Sequence, residues 1–431
     1  MDVTVESTGT LERRMRVELP IEPIEQQVNS RLQSVGKTAK IKGFRPGKVP
    51  AKVVRQHYGK QVREEVLSEV LQRSYSEAVT QEQLNPAASP KIETEADNGK
   101  TFVYTAVFEV MPEVVLKGLE KIAIEVPEVE IGDEDIDDML MSLRKQKAEW
   151  AETDRKAQEG DRMTIDFTGS LKGEVFPGGE AKDFTFVLGE GQMLPDFEKG
   201  VTGAKAGEEK TFKVKFPKEY HSEELAGQKA EFTITAHKVE EPVLPELNDE
   251  FAAEFNVTEG GMEQFKADVR DNMQREADAK KKNDVREQVM KGLLDANPID
   301  IPGALKHQEQ HALQREAMQR LGVEDAEQAP PLENFSESAE KRVALGLLLR
   351  QVIDDKEIKV DEAAMRGKVE ELCAGYENAE QMIDMYLSNP QVMQQIEPMV
   401  VEQAAVDWIV ENGKTKTKKV SFKEFMNPPG S

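Results

Sequence analysis

The 431-residue chain sets 82 Asp and Glu against 57 Lys and Arg, a formal charge of −25, which argues against general binding to nucleic acid, DNA included. At roughly 100–200 residues per domain the length predicts about three domains, too much chain for one hydrophobic core. No stretch reaches the ~18 apolar residues of a membrane span, and "MDVTVESTGTLERRM" lacks the basic-then-apolar order of a secretory signal, so no membrane partner is expected.

Residues 1–112 read as α+β. "DVTVEST", "ERRMRVELP" and "KTFVYTAVFEV" alternate apolar and polar, the period of half-buried strands. "IEPIEQQVNSRLQSVGKTA" and the stretch from Pro50 to Gln81 carry apolar residues at helical spacing, Val53, Val54, Tyr58, Val62, Val66 and Val70 among them. No Asp or Glu occurs between Glu25 and Glu64. The acidic chain therefore keeps one purely basic segment, centred on "GFRPGKVP" between the two helices. Gly43 and Gly47 permit unusual backbone angles, and Pro46 and Pro50 stiffen φ, with Pro50 placed to open the second helix. A projecting, partly rigid loop is expected, with Phe44, Arg45 and Lys48 at its tip.

Residues 113–149 form a connector. Strand-like "KIAIEVPEVEI" precedes a helix over "DEDIDDMLMSLRKQKAEW", in which Ile136, Met139, Leu140 and Leu143 make an apolar stripe that needs a partner. Residues 150–245 change to strand patterns, "DRMTIDFTGSL", "DFTFVLGEG", "KTFKVKFP" and "AEFTITAHKVE", punctuated by Gly. They predict a compact, mostly antiparallel module that ends at the Pro-containing linker "EEPVLPELND". From 246 to about 412 the pattern is helical. The tail "KTKTKKVSFKEFMNPPGS" is basic, then Pro/Gly-rich, and reads as frayed.

The single cysteine, Cys373 in "VEELCAGYENAE", excludes an intramolecular disulfide and fits a reducing cytosol. With no base beside it, it is expected as a small buried apolar residue. Met318, Met365, Met382, Met385, Met393 and Met399 supply flexible, polarisable side chains to the helical region, suited to core packing or to accepting varied apolar partners. No phosphate loop and no GxSxG occurs. His57, His221, His237, His307 and His311 are scattered. His307 and His311 share a helix face in "HQEQH", but nothing completes a metal site there, and no metal is expected. The aromatics of the strand-rich module, Phe167, Phe176, Phe184, Phe186, Phe197, Tyr220 and Phe232, suit either a small β-domain core or the lining of a cleft.

The ordered run "GDRMTIDFTGSLKGEVF", "FTFVLGEGQMLPDFEKGVTGAKAGEEKTFKV", a later Tyr and "AEFTI" resembles the FKBP-type peptidyl-prolyl isomerases across the whole module. The resemblance implies an antiparallel β module with a short helix. It implies a proline-binding cleft on Phe167, Phe176, Phe184, Met193, Leu194, Phe197, Tyr220 and Phe232, working without cofactor. Two positions depart from the family pattern. Pro177 stands where an acidic residue often follows the Phe, and Phe197 where a Trp often floors the cleft. Both bear on inhibitor binding more than on isomerisation.

"GFRPGKVP", ahead of this module and a helical region, resembles the ribosome-docking signature of the bacterial trigger factor family, and the domain order agrees over the full length. The resemblance implies docking on the large ribosomal subunit near the exit tunnel, with Phe44, Arg45 and Lys48 in contact and Gly43, Gly47 and Pro50 shaping the loop. It implies a cytoplasmic chaperone whose elongated all-α C-terminal domain shields nascent and unfolded polypeptides, and it allows a homodimer off the ribosome. The expected fold is multidomain α+β: a docking domain over 1–112, a connector over 113–149 packing on the C-terminal domain, an isomerase module over 150–245 and a helical chaperone domain over 246–431. Two other functions stay open, a stand-alone prolyl isomerase whose helices serve only dimerisation, and a nucleic-acid adaptor using the basic loop.

Overall fold

The computed structural model describes residues 1–41, 44, 48–95, 100–220, 222, 224–323, 325, 328–373, 376 and 378–428. Their contacts divide the chain into two compact units, Met1–Val126 with Asn283–Thr417, and Pro127–Lys282 with Lys418–Ser431. The elements run β1 (Asp2–Ser7), β2 (Glu12–Pro20), α1 (Ile21–Thr38), α2 (Ala51–Gln81), β3 (Lys91–Thr94), β4 (Thr101–Glu109), β5 (Ala123–Glu130), α3 (Asp133–Gln146), β6 (Glu149–Glu152), β7 (Arg162–Leu171), β8 (Glu174–Val187) and α4 (Pro195–Val201). They continue β9 (Glu209–Lys215), β10 (Lys229–Val243), α5 (Asp249–Ala253), α6 (Gly261–Ala296), α7 (Gly303–Leu321), α8 (Ser336–Asp355), α9 (Glu362–Cys373), α10 (Ala379–Leu387), α11 (Pro390–Asn412), β11 (Lys414–Ser421) and α12 (Phe422–Met426). No helix among the described residues is long and apolar enough to cross a membrane.

In the first unit, β1-β2-β4-β3 form an antiparallel sheet. Met15 and Val17 of β2 and Tyr104 and Ala106 of β4 are fully covered on its inner face. The α1 and α2 stripes close this core with Ile24, Val28, Leu32, Val54, Val62, Val66 and Val70, spaced four apart once the half-buried Tyr58 is counted between Val54 and Val62, as an amphipathic helix requires. A second core joins Leu119, Ile122 and Ile124 to Val289, Leu293, Leu348, Val352, Ala405, Val406 and Ile409. Asn297, buried beside it, accepts the Lys117 N–H at 2.7 Å and donates to the Leu293 carbonyl at 3.0 Å. A third gathers Val369, Cys373, Ile396 and Val400, so the cysteine is a buried apolar residue.

In the second unit, β6-β10-β7-β8 form one sheet, and β9 also pairs with β10. Its core holds Met163, Ile165, Phe186, Leu188, Val201, Val214, Ile234 and Ala236. A separate core joins Ile136 and Leu140 of α3 to Phe251, Phe265, Val269, Met273 and Phe422.

Three sequence expectations need correction. The helix expected to run through Trp150 stops at Gln146, and Glu149–Glu152 pairs antiparallel with β10, Trp150 opposite Pro242. The Arg162 guanidinium over the indole at 4.8 Å holds Trp150 on that edge. The linker expected over 240–249 is strand through Val243. It then forms the short helix α5, capped where the Phe251 N–H donates to Asn248 Oδ1 at 2.9 Å. Over its described residues the tail is not frayed: β11 pairs with β5, and α12 buries Phe422 behind an N-cap at Ser421. Alternation failed as a guide because β11 is exposed at every position but Val420. Lysines facing the acidic β5, as in the 3.0 Å pair of Lys419 with Glu130, take the place of an apolar face.

Candidate functional site

A cleft of about 540 Å³ opens on the β module, lined by Phe167, Phe176, Phe184, Met193, Leu194, Phe197, Tyr220 and Phe232 together with Gly178, Gly191, Gln192, Pro195 and Phe216. Alternation places the strand residues. In β7, Met163, Ile165 and Phe167 share one side, and in β10, Phe232, Ile234 and Ala236 do the same. Phe197 comes from α4, which opens on Leu194 and Pro195, a start that proline tolerates because its missing N–H has no partner in a first turn. The Lys215 N–H donates to Asp196 Oδ2 at 3.3 Å and ties this helix to β9.

Phe197, 1% exposed, is the floor. Its ring lies 5.7 Å from Phe167, 5.3 Å from Phe232 and 5.5 Å from Phe212, all edge-on. Phe176 meets Phe232 at 5.9 Å, and Tyr220 meets Phe216 at 4.8 Å. Gly169 is required where it stands: a Cβ there would sit 2.7 Å from the Phe232 ring and 2.9 Å from that of Phe176. Among the described lining residues there is no carboxylate, imidazole or ammonium. Such a cavity offers desolvation, aromatic walls and one phenol, not acid–base or nucleophilic chemistry.

The strands that carry the cleft are braced by charge pairs. Asp161 is nearly covered and accepts two hydrogen bonds from Arg155, at 2.6 and 2.7 Å, and one from the Gln158 N–H at 2.8 Å. Hydrogen bonds to Asp161, then to Glu241, raise the Arg155 pKa. Arg162 donates twice to Glu240 at 2.8 Å, which holds that carboxyl below its ordinary value.

All eight sequence-selected cleft residues line this one cavity. Phe216 was missed, and Phe212 behind Phe197 with it. Their signal was present in "KTFKVKFP", where Phe212, Val214 and Phe216 alternate with lysines.

At the other selected site, Phe44 is 41% exposed and its N–H donates to the Ile41 carbonyl at 3.1 Å. Lys48 is exposed, and Pro50 caps α2 at φ −61°. Gly43, Arg45 and Gly47 lie outside the described residues, as does Pro46. At the foot of this segment is a cavity of about 620 Å³ that sequence reasoning did not foresee. Leu32, Gly36, Val49 and Val54 form its floor and Lys37, Lys52 and Arg55 its rim, with no carboxylate among the described lining residues.

In the helical region, Met365, Met382 and Met393 pack on Val369, Cys373 and Ile396. Leu321, Leu372, Tyr376, Met385 and Met399 are exposed. His307 and His311 lie edge to face at 4.6 Å on α7.

Residues 1–143 match the family model of the bacterial trigger factor protein, 261–411 that of its C-terminus, and 153–238 that of the FKBP-type peptidyl-prolyl cis-trans isomerases. The trigger factor of Colwellia psychrerythraea is 46% identical over 432 residues, 99% of each chain. That of Thioalkalivibrio sulfidiphilus is 46% identical over 429 residues, 99% of this chain and 98% of the other. A solved structure of the trigger factor chaperone is 19% identical, covering 95% of this chain and 99% of that one, with a TM-score of 0.47.

Proposed function

The chain belongs to the bacterial trigger factor family, and from that premise we propose how it divides its work among named residues. It is a ribosome-associated chaperone and an FKBP-type peptidyl-prolyl isomerase. Its docking residues are Gly43, Phe44, Arg45, Gly47, Lys48 and Pro50, and its target is the large ribosomal subunit near the exit tunnel. It acts in the cytoplasm. Its isomerase site is the aromatic cleft of Phe167, Phe176, Phe184, Met193, Leu194, Phe197, Tyr220 and Phe232.

The observation that carries the isomerase reading is one cavity lined by all eight residues and free of ionisable groups other than a phenol, among those described. Rotation about an X-Pro bond must cross a barrier of ~18–20 kcal/mol set by amide resonance. The planar amide has a large dipole that the twisted transition state has partly lost. A dry aromatic cavity therefore destabilises the planar form more than the twisted one, and tighter binding of the transition state is catalysis. Phe197 and Phe232 hold the proline ring, and the Tyr220 hydroxyl donates to a substrate carbonyl.

Docking follows from charge. The ribosome is a polyanion, and a chain of net charge −25 needs a local basic patch to approach it. Lys37, Lys52 and Arg55 at the cavity, with the exposed Lys48 of the loop, supply one. The exposed apolar residues Leu321, Tyr376, Met385 and Met399 supply surface for unfolded chains. The stand-alone isomerase is disfavoured, because likeness to trigger factor covers the N- and C-terminal regions as well as the module. Sedimentation with vacant ribosomes, alongside isomerisation of a short X-Pro peptide, tests the two activities separately. Isomerisation without co-sedimentation would leave the stand-alone reading standing.

A further inference from the structure

We propose that Asp166, Asp183 and His237 form a binding site for a divalent transition-metal ion of the zinc type on the outer face of the β module. They are far apart in sequence and come from three adjacent strands, β7, β8 and β10. One ligand atom from each lies within 4.8 Å of the others, and among the described residues this is the one such group of three or more. Asp166 follows Ile165 and precedes Phe167, both directed inward, so strand alternation turns its carboxylate away from the cleft.

The neighbouring strands are shaped around it. The β10–β7 ladder shifts between Ala236 and Lys238, which makes His237 the extra residue of a bulge. The β7–β8 ladder shifts between Ile165 and Phe167, opposite Asp183, whose φ is +49°. Bulges re-aim side chains, and here both bring a metal-ligating group toward Asp166.

The spacing is that of ligands sharing an ion. His237 Nε2 lies 3.0 Å from Asp166 Oδ2, and two ligands bonded at about 2.1 Å in the tetrahedral shell of zinc lie about 3.4 Å apart, so an opening of a few tenths of an ångström admits the ion. The Asp183 N–H donates to Asp166 Oδ1 at 2.7 Å and leaves Oδ2 for the ion. Lys182 is a charged neighbour that also acts on Asp166. One imidazole nitrogen and two carboxylate oxygens, partly exposed so that water completes the shell, suit zinc, cobalt or nickel better than the all-oxygen cations magnesium and calcium.

The test is zinc titration of the full-length, chelator-stripped chain by calorimetry, which needs no isomerase assay and so succeeds or fails apart from the reading above. The variants are His237→Ala and Asp183→Asn, both at exposed positions, and the double variant His307→Ala/His311→Ala, which removes the other histidine pair. The expected result is one zinc per chain in the wild type and in the double variant, with affinity at least about tenfold weaker in the other two. No uptake at about 100 μM zinc would mean that Asp166 and His237 form an ion pair only, and would overturn the site. Uptake lost with His307 and His311 but kept by His237→Ala would overturn it as well.

Discussion

Phe197 touches the rings of Phe167, Phe186, Phe212 and Phe232, so it is both cleft floor and core. Phe197→Ala should cut kcat/KM for a short X-Pro peptide by at least about tenfold, a loss of some 1.4 kcal/mol of transition-state stabilisation. It should also cost about 3–5 kcal/mol of module stability, so the companion variant Phe197→Leu, which keeps most of the volume, should fold normally and still lose activity. Suppression of aggregation should survive in both. Full isomerase activity in Phe197→Leu would remove the floor from the site.

Tyr75 gives an opposite case. Its hydroxyl is buried with no hydrogen-bond partner among the described residues, and burial pushes the phenol up to about 12. An unsatisfied buried group costs about 1–3 kcal/mol. Tyr75→Phe should therefore leave the chain as stable or more so by urea midpoint, and a clear loss would show that the hydroxyl has a partner. The folded value lies above the ordinary one of 10.0. Stability from the neutral phenol is thus full below pH 10 and lost as the pH rises toward 12, and the variant should lack that alkaline decline. That eight residues share one cavity was legible because strand period and motif order each place a side chain on a face. Phe216 escaped because it follows a strand, β9, in which lysines dominate the composition.

At the scale of elements, strands and helices with an apolar period were legible to within a residue or two, as for α1, α2 and β4. Elements held by partners remote in sequence were not. β6 is four residues long, and β11 has one partly covered residue. Each exists because another strand supplies hydrogen bonds and opposite charge. The Glu240–Arg162 pair shows how such a ladder is secured. Hydrogen bonds from Arg162 hold the Glu240 carboxyl below its ordinary 4.5. The pair's stabilisation is therefore present above about pH 4.5 and is lost as the pH falls through the folded value. Glu240→Gln should flatten the acid-side fall of the module's urea midpoint relative to wild type. Identical profiles below pH 4.5 would mean that the pair contributes nothing.

For the whole molecule, the connector decides the proposed organisation. Leu119, Ile122 and Ile124 pack on Val289, Leu293 and Ile409 in one unit, and Ile136 and Leu140 pack on Phe251, Phe265 and Met273 in the other. Both sets of partners follow residue 246. We therefore propose a discontinuous third domain, 113–149 with 246–431, into which the isomerase module is inserted, an arrangement that domains with close termini tolerate. Excising 149–244, which removes β6 with its partner β10, behind a short Gly/Ser linker should leave a soluble, cooperatively unfolding, ribosome-binding chain without isomerase activity. The fragment 246–431 alone should have a lower urea midpoint than the same fragment with the connector restored. Equal midpoints would contradict the arrangement. The most direct test of the docking assignment is co-sedimentation of Phe44→Ala/Arg45→Ala/Lys48→Ala with vacant ribosomes. The account predicts that the triple variant stays in the supernatant with wild-type isomerase activity. Unchanged co-sedimentation would contradict it.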